Sequence, residues 1–290
     1  MSVAEGAAGP PLMRIVHPSD FSRLSQVAFA HALKIALLAN AELEIVHVQG
    51  HKIGNEKDVH WSDFPGVRAT LARWQVVPPS ATREEVDSTG LRARKILNSE
   101  DDPLDSMVRF CADHPPDLLV LATHQRDGLS RWLHRSVAEP LARRSRAMTL
   151  FVPSHGKGFV APADGSVKLE KVLIPVDHAP NAQAALEEAF FLAEGLGCRD
   201  VEFKLLHVGT DKGMPTLFLP HHAGYRWTER LVHGDAVETI EREAELWSPD
   251  LMVFTTEGHR DFLDALRGST TERVLRAAHC PVLAVPAKAT

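Results

Sequence analysis

Gly258, nine intervening residues and then Gly268-Ser269-Thr270-Thr271-Glu272 form the stretch of this chain best suited to chemistry. Glycine carries no Cβ, so an anion can reach the backbone N–H groups at 258 and 268. Ser269 opens a helical pattern, and the first turn of a helix offers unpaired N–H groups at the positive end of its dipole. Phosphate is the ligand such an arrangement favours. Ser269 and Glu272 also have capping-box spacing, in which the two side chains satisfy those N–H groups with no ligand at all. Ser136-Val137-Ala138-Glu139 repeats that spacing in the first half of the chain. Capping accounts for both copies; only the second adds the glycines.

The recurrence is wider than one motif. Pro116–Pro153 aligns without a gap with Pro249–Pro286, at a constant offset of 133. Matches include Pro116/Pro249, Asp117/Asp250, Val120/Val253, Thr123/Thr256, Ser136/Ser269, Glu139/Glu272 and Pro153/Pro286. The chain is an internal duplication, and the same elements must position both copies.

In each half a short apolar strand ends on an aspartate: Met13–His17 leads to Asp20, and Lys171–Val176 to Asp177. Apolar residues spaced three and four apart predict helices over Ser22–Ala39 and Asn181–Glu194. Second strands follow at Leu43–Val48 and Val201–Val208, ending in His47-Val48 and His207-Val208. Third strands are expected at Leu91–Leu97 and Arg226–Val232, with further helices over Pro65–Gln75, Pro103–Asp113 and from Asp235 to about Trp247. Gly209–Gly224, with Pro215 and Pro220, replaces a helix by a loop. Leu118–Ala122, Leu251–Phe254, Met148–Val152 and Val282–Val285 supply the remaining strands.

Strands alternating with helices predict an α/β protein of two doubly wound, five-stranded parallel-sheet domains, spanning 13–153 and 170–287. Residues 154–169, rich in Gly, Pro and Ser, read as the linker. Ligands of such sheets lie beyond the carboxyl ends of the strands, where the winding reverses. With the reversal between strands one and four, Asp177 and Thr255–Gly258 share a crevice, as do Asp20 and Ala122–Gln125.

Composition narrows the classes. The chain has 290 residues, 44% hydrophobic and 24% charged, with a formal charge of −6. That excludes a nucleic-acid scaffold, which would carry a basic face. Three isolated cysteines and no CxxC suggest a reducing compartment. Met1–Leu12 lacks the basic start and apolar core of a secretory signal, and no apolar run approaches a membrane span. A cytoplasmic protein is expected. His51, His60 and His221-His222 invite a metal, but no set has structural-zinc spacing, so none is assigned. The strand-end residues His47 and His207 read as hydrogen-bonded structural groups.

Gly258-x9-Gly268-Ser269, Pro175-Val176-Asp177, His207-Val208, Gly234-Asp235, Cys280-Pro281-Val282-Leu283 and the first-half Pro18-Ser19-Asp20-Phe21-Ser22 together resemble the universal stress protein family. Its nucleotide-binding members carry Gly-x2-Gly-x9-Gly-Ser/Thr. The resemblance spans both halves. It implies two flavodoxin-like domains, similar to adenine nucleotide alpha hydrolases, and a role in stress response as a sensor or regulator. It further implies an adenine nucleotide, ATP with or without Mg²⁺, in the second half. Pro175, Val176, Asp177 and Val208 would hold adenosine; Gly258, His259, Gly268, Ser269 and Thr270 would line the phosphates. Two departures stand out. Thr255 replaces the family's first glycine, and Glu257, Asp261 and Asp264 bring negative charge to the loop.

The first half departs further. Ala122-Thr123-His124-Gln125, nine residues and Arg135-Ser136 retain none of the glycines. Arg126 and Arg135 are cationic, and Arg135 can either pair with an anion or fill its pocket. Asp20, Val48, Arg126, Arg135 and Ser136 therefore make a degenerate site. The apolar fifth strands, Thr149–Val152 and Val282–Val285, are expected to pair about a pseudo-twofold axis, as in family dimers, with a homodimer also open. Two other readings stand beside nucleotide sensing: an interaction module that binds no nucleotide, and a weak ATPase depending on Asp177.

Overall fold

The computed structural model describes residues 13–49, 59–100, 102–123, 138–153, 158–209, 213–256 and 270–287. The first half runs β1 (Arg14–Pro18), α1 (Arg23–Leu38), β2 (Glu42–Gln49), α2 (Val67–Arg73), α3 (Arg83–Asp87), β3 (Arg92–Ser99), α4 (Pro103–Asp113), β4 (Leu118–Thr123), α5 (Ala138–Ser145) and β5 (Met148–Pro153). The second runs β6 (Lys171–Pro175), α6 (Gln183–Gly195), β7 (Val201–Val208), β8 (Tyr225–Val232), α7 (Ala236–Trp247), β9 (Leu251–Thr256), α8 (Thr270–Ala277) and β10 (Val282–Pro286). Strand order is β3-β2-β1-β4-β5-β10-β9-β6-β7-β8. Within each half the strands are parallel, and the winding reverses between strands one and four, as the alternation of elements predicts.

The central strands are apolar on both sides because both sheet faces are covered. Along β4, Val120 and Ala122 enter the core on one face, and Leu119 and Leu121 enter that on the other. Val253 and then Met252 and Phe254 divide the same way along β9. The outer strands β3 and β8 carry Arg92, Arg94, Arg226 and Arg230, charges that suit an unpaired sheet edge.

The repeated Pro-Asp pair has a structural job. Asp117 Oδ2 accepts the Arg14 N–H at 2.7 Å, and Asp250 Oδ2 accepts the Lys171 N–H at 3.0 Å. Each ties the start of strand four to the start of strand one, at the end of the sheet away from the crevice. Where the halves meet, β10 lies antiparallel to β5, and Leu283 faces Leu150. Those two leucines occupy the same place in the repeat, 133 positions apart.

Two differences from the sequence expectations have plain causes. Helix α3 was not anticipated, because five residues are too few to show a period; Thr82 and Glu85 hold it by a capping box. Residues 158–170 are not a solvated spacer. Phe159, Val160 and Leu169 are buried, Val160 donates its N–H to His31 Nε2 at 3.2 Å, and Trp74 donates to the Pro162 carbonyl. Their Gly and Pro content conceals apolar side chains with surface to bury. Residues 213–224 form no helix, as the Gly and Pro content of that stretch predicts; they run as a strap held to the start of α6.

Candidate functional site

Backbone pairing between strands one and four stops early in both halves. Only Ile15↔Leu118 and Val16↔Leu119 pair in the first, and only Val172↔Leu251 and Leu173↔Met252 in the second. Beyond those pairs the strands are no longer paired, and in sheets of this kind that is where a crevice forms at the carboxyl ends.

In the second half, Pro175 ends β6, Val176 is buried, and Asp177 follows with an exposed side chain. Asp177 Oδ1 accepts the N–H of His178 at 2.7 Å and lies 4.0 Å from His207 Nδ1. His207, at the end of β7 beside Val208, donates that Nδ1–H to the Val176 carbonyl at 2.9 Å. A carbonyl can only accept, so the proton sits on Nδ1. A Cβ on the next residue, Gly209, would crowd His207 Nε2 and force the ring to shift. Asp177, Val176, Val208 and His207 are thus brought together as one cluster at the crevice. Thr270 opens α8, while Gly258, His259, Gly268 and Ser269 lie outside the described residues.

Thr255 does something the sequence did not reveal. Its Oγ1 accepts the Ala185 N–H at 3.3 Å, satisfying a free donor in the first turn of α6. Ala182, at the N-cap of that helix, has no side-chain acceptor to offer. The hydroxyl that replaces a glycine is therefore a cap supplied from a neighbouring strand, worth about 1 kcal/mol in typical cases.

The first half repeats the frame and closes it. His47 Nδ1–H donates to the Ser19 carbonyl at 2.7 Å, the counterpart of His207 on Val176. Asp20 Oδ1 accepts the Ser22 N–H, and Ser22 caps α1 through Ser25, so this aspartate serves the turn into the helix. Val48 is buried. Phe21 then stacks on His47 with ring centres 4.0 Å apart, Phe64 packs edge-on to Phe21 at 4.9 Å, and Trp61 stacks on Phe64. Phe21 holds a positive φ of 62° to do so, a backbone state that is uncommon and strained for a bulky residue. Arg126, Arg135 and Ser136 lie outside the described residues.

Below this plug, His17 spans the gap between the diverging strands. Its Nδ1–H donates to the Val120 carbonyl at 3.0 Å, and its Nε2 accepts from the Ser25 hydroxyl at 3.2 Å. Burial pushes its pKa down to about 4, so the ring is neutral near pH 7. At the matching position of β6 stands the apolar Ile174. Sequence reasoning missed Phe64 and His17, because their partners are distant in the chain and no spacing announces them. Phe21 is adjacent to Asp20 and was visible, but not as a plug.

Other reactive candidates are inert or absent. Burial pushes the Cys111 and Cys280 thiols up to about 12 and Cys198 up to about 11, so all three are protonated. Among the described residues no group of three His, Cys, Asp or Glu side chains is arranged to hold a metal ion, and no helix is long and apolar enough to cross a membrane.

This geometry agrees with the chain's similarities. The model of the Universal stress protein family matches residues 11–153 and 211–286. Universal stress protein MJ0531 of Methanocaldococcus jannaschii is 28% identical over 149 residues, covering 48% of this chain and 81% of its own. A crystal structure of a universal stress protein from Archaeoglobus fulgidus superposes with a TM-score of 0.60 at 19% identity, covering 94% of this chain and 96% of that one. A functionally unknown protein from Pseudomonas aeruginosa superposes with a TM-score of 0.61 at 13% identity, over 95% and 93%. At such identities the structural likenesses speak to the fold, while the family match rests on sequence in both halves. The chain belongs to the universal stress protein family, with two of its flavodoxin-like α/β domains in tandem.

Proposed function

We propose that the second half binds one adenine nucleotide, ATP in the first instance, and that this binding serves a stress-linked sensor or regulator. The observation that carries the reading is the contrast between equivalent crevices. In the first, Phe21 and Phe64 lie over His47. In the second, the residue matching Phe21 is the exposed His178, which meets His207 only edge-on at 5.5 Å, and the Asp177 carboxylate is exposed beside it. Among the described residues this crevice presents a polar ring and a carboxylate acceptor, which suit a hydroxylated or amino-bearing ring better than an apolar guest. The glycines at 258 and 268 supply the phosphate end of the proposal.

The first half is proposed as a fold and pairing unit that takes no nucleotide. With Leu150 opposite Leu283 at the centre of the β5–β10 pair, the two domains are read as related by a pseudo-twofold axis, in the manner of a dimer made within one chain. Turnover of ATP is not part of the proposal.

The test is to denature freshly purified protein, analyse the supernatant for adenine nucleotides, and follow the melting temperature of the stripped protein with increasing Mg·ATP. Binding to the folded state alone must raise that temperature with concentration. A saturable rise that is lost in Gly268→Arg supports the site. No nucleotide and no shift at millimolar ATP would leave the second half as an interaction module.

A further inference from the structure

The strap at 213–224 has almost no backbone ladder of its own. Among the described residues, 213–221 make no backbone-to-backbone hydrogen bond; side chains from elsewhere hold them. The His178 Nε2–H donates to the Gly213 carbonyl at 3.2 Å. Gln183 grips Phe218 from both sides. Its Oε1 accepts the Phe218 N–H at 2.9 Å, and its Nε2 donates to the Phe218 carbonyl at 3.1 Å. Nε2 also donates to Glu187 Oε1 at 3.2 Å, and since a carboxylate only accepts, this fixes which way the amide points. Trp227 Nε1–H donates to the Pro220 carbonyl lower down. Between these clips Met214, Leu217 and Leu219 pack on the core, while Phe218 is 76% exposed.

Both upper clips arise from one turn, Asp177–Gln183, which also carries the crevice carboxylate. The strap begins five residues after Val208 and reaches Gly213 already in contact with the ring beside Asp177. The start of the strap therefore stands beside Asp177, where the adenosine end of the nucleotide is proposed to lie.

We propose that Gln183 is a positioning residue for this site: by holding the backbone of Phe218, it fixes the strap as a side wall against the adenosine part of the nucleotide. The role rests on the nucleotide reading above. It touches no ligand itself. Because the wall serves adenosine and not phosphate, losing it weakens adenosine and ATP by the same factor. With two hydrogen bonds at stake, that factor is about tenfold.

The test uses the full chain. Calorimetric affinities for adenosine and for Mg·ATP are measured in wild type, Gln183→Ala and Gln183→Glu, together with hydrogen exchange at the Phe218 amide. Gln183→Ala should speed that exchange and weaken both ligands about equally. Gln183→Glu keeps the acceptor for the Phe218 N–H and loses the donor, so its affinities should fall between. Unchanged exchange at Phe218, or faster exchange with unchanged affinities, would overturn the positioning role while leaving nucleotide binding intact. A loss confined to ATP would also overturn it. Wild-type protein that binds neither ligand would overturn the nucleotide reading and this role together.

Discussion

His207 donates its Nδ1 proton to the carbonyl of Val176 across 2.9 Å, and His47 does the same to Ser19 across 2.7 Å. The bond is repeated at the same place in each half, locking the end of strand two to the turn that presents the aspartate. Among the described residues, a phenyl group stacks on the ring in the first half, at Phe21, and none does so in the second. One frame has thus been kept twice, open once and filled once.

Gly209→Ala should disrupt the open copy. Its Cβ would lie 2.4 Å from His207 Nε2, and the ring must swing away from Val176 to make room. ATP affinity should fall by about tenfold or more, since a hydrogen bond to a buried carbonyl and the placement of Asp177 are lost together. Calorimetry on the variant checks this, and an affinity equal to wild type would contradict it.

The filled copy makes the opposite prediction. Phe64 is 3% exposed and packs on Phe21 and His47. Phe64→Ala should cost about 3–5 kcal/mol of stability, typical of a large-to-small change in a core. It should leave the affinity of the second half for ATP unchanged. Urea unfolding and a parallel titration read both quantities. A variant with wild-type stability would mean that the aromatic cluster does not fill the first crevice.

Much of this was legible in the residues. The apolar runs Leu118–Ala122 and Leu251–Phe254 announce buried parallel strands, because both their faces are covered. Helix starts are expected at Pro103 and at Asp235, and Asp102 and Asp235 cap the helices found there. Asp20 and Asp177 follow from the duplication and the point where the winding reverses. What stayed hidden depends on contacts distant in sequence. The Thr255 hydroxyl reads as an obstruction until Ala185 is seen in front of it. Phe159 and Val160 look like part of a spacer until His31 and Trp74 are placed beneath them. Phe64 has no periodicity that could point it at Phe21.

Acid should weaken the fold through two buried histidines. Burial lowers His17 and His31 to about 4, from an ordinary value of 6.5. Above about pH 6.5 both are neutral whether the chain is folded or not, and stability is flat. Between about 6.5 and 4 only the unfolded chain takes up these protons, so stability falls as pH falls. Below about 4 the folded protein binds them too, and this contribution to the slope ends. The full loss is on the order of 3 kcal/mol per histidine. Urea midpoints at pH 7 and pH 5 register the part lost by pH 5, and His31→Gln should shrink the difference to the share that His17 contributes. Equal midpoints at the two pH values would contradict the burial of both neutral rings.

The junction of the halves offers a sharper perturbation. Leu150 and Leu283 face each other, and both are buried. Leu283→Asp places an unpaired carboxylate between them, a change that costs several kcal/mol in an apolar setting. Both halves should lose thermal stability in a single transition at a lower temperature, followed by circular dichroism. A variant that melts like wild type would mean that β5 and β10 do not support one another.

The central claim is one adenine nucleotide per chain, held in the second half at Asp177. Calorimetric titration of nucleotide-free protein with Mg·ATP tests it most directly, using wild type, Asp177→Ala and Asp20→Ala side by side. A single site per chain is expected, abolished in Asp177→Ala and retained in Asp20→Ala. Two sites per chain, or binding that survives Asp177→Ala and disappears in Asp20→Ala, would contradict it.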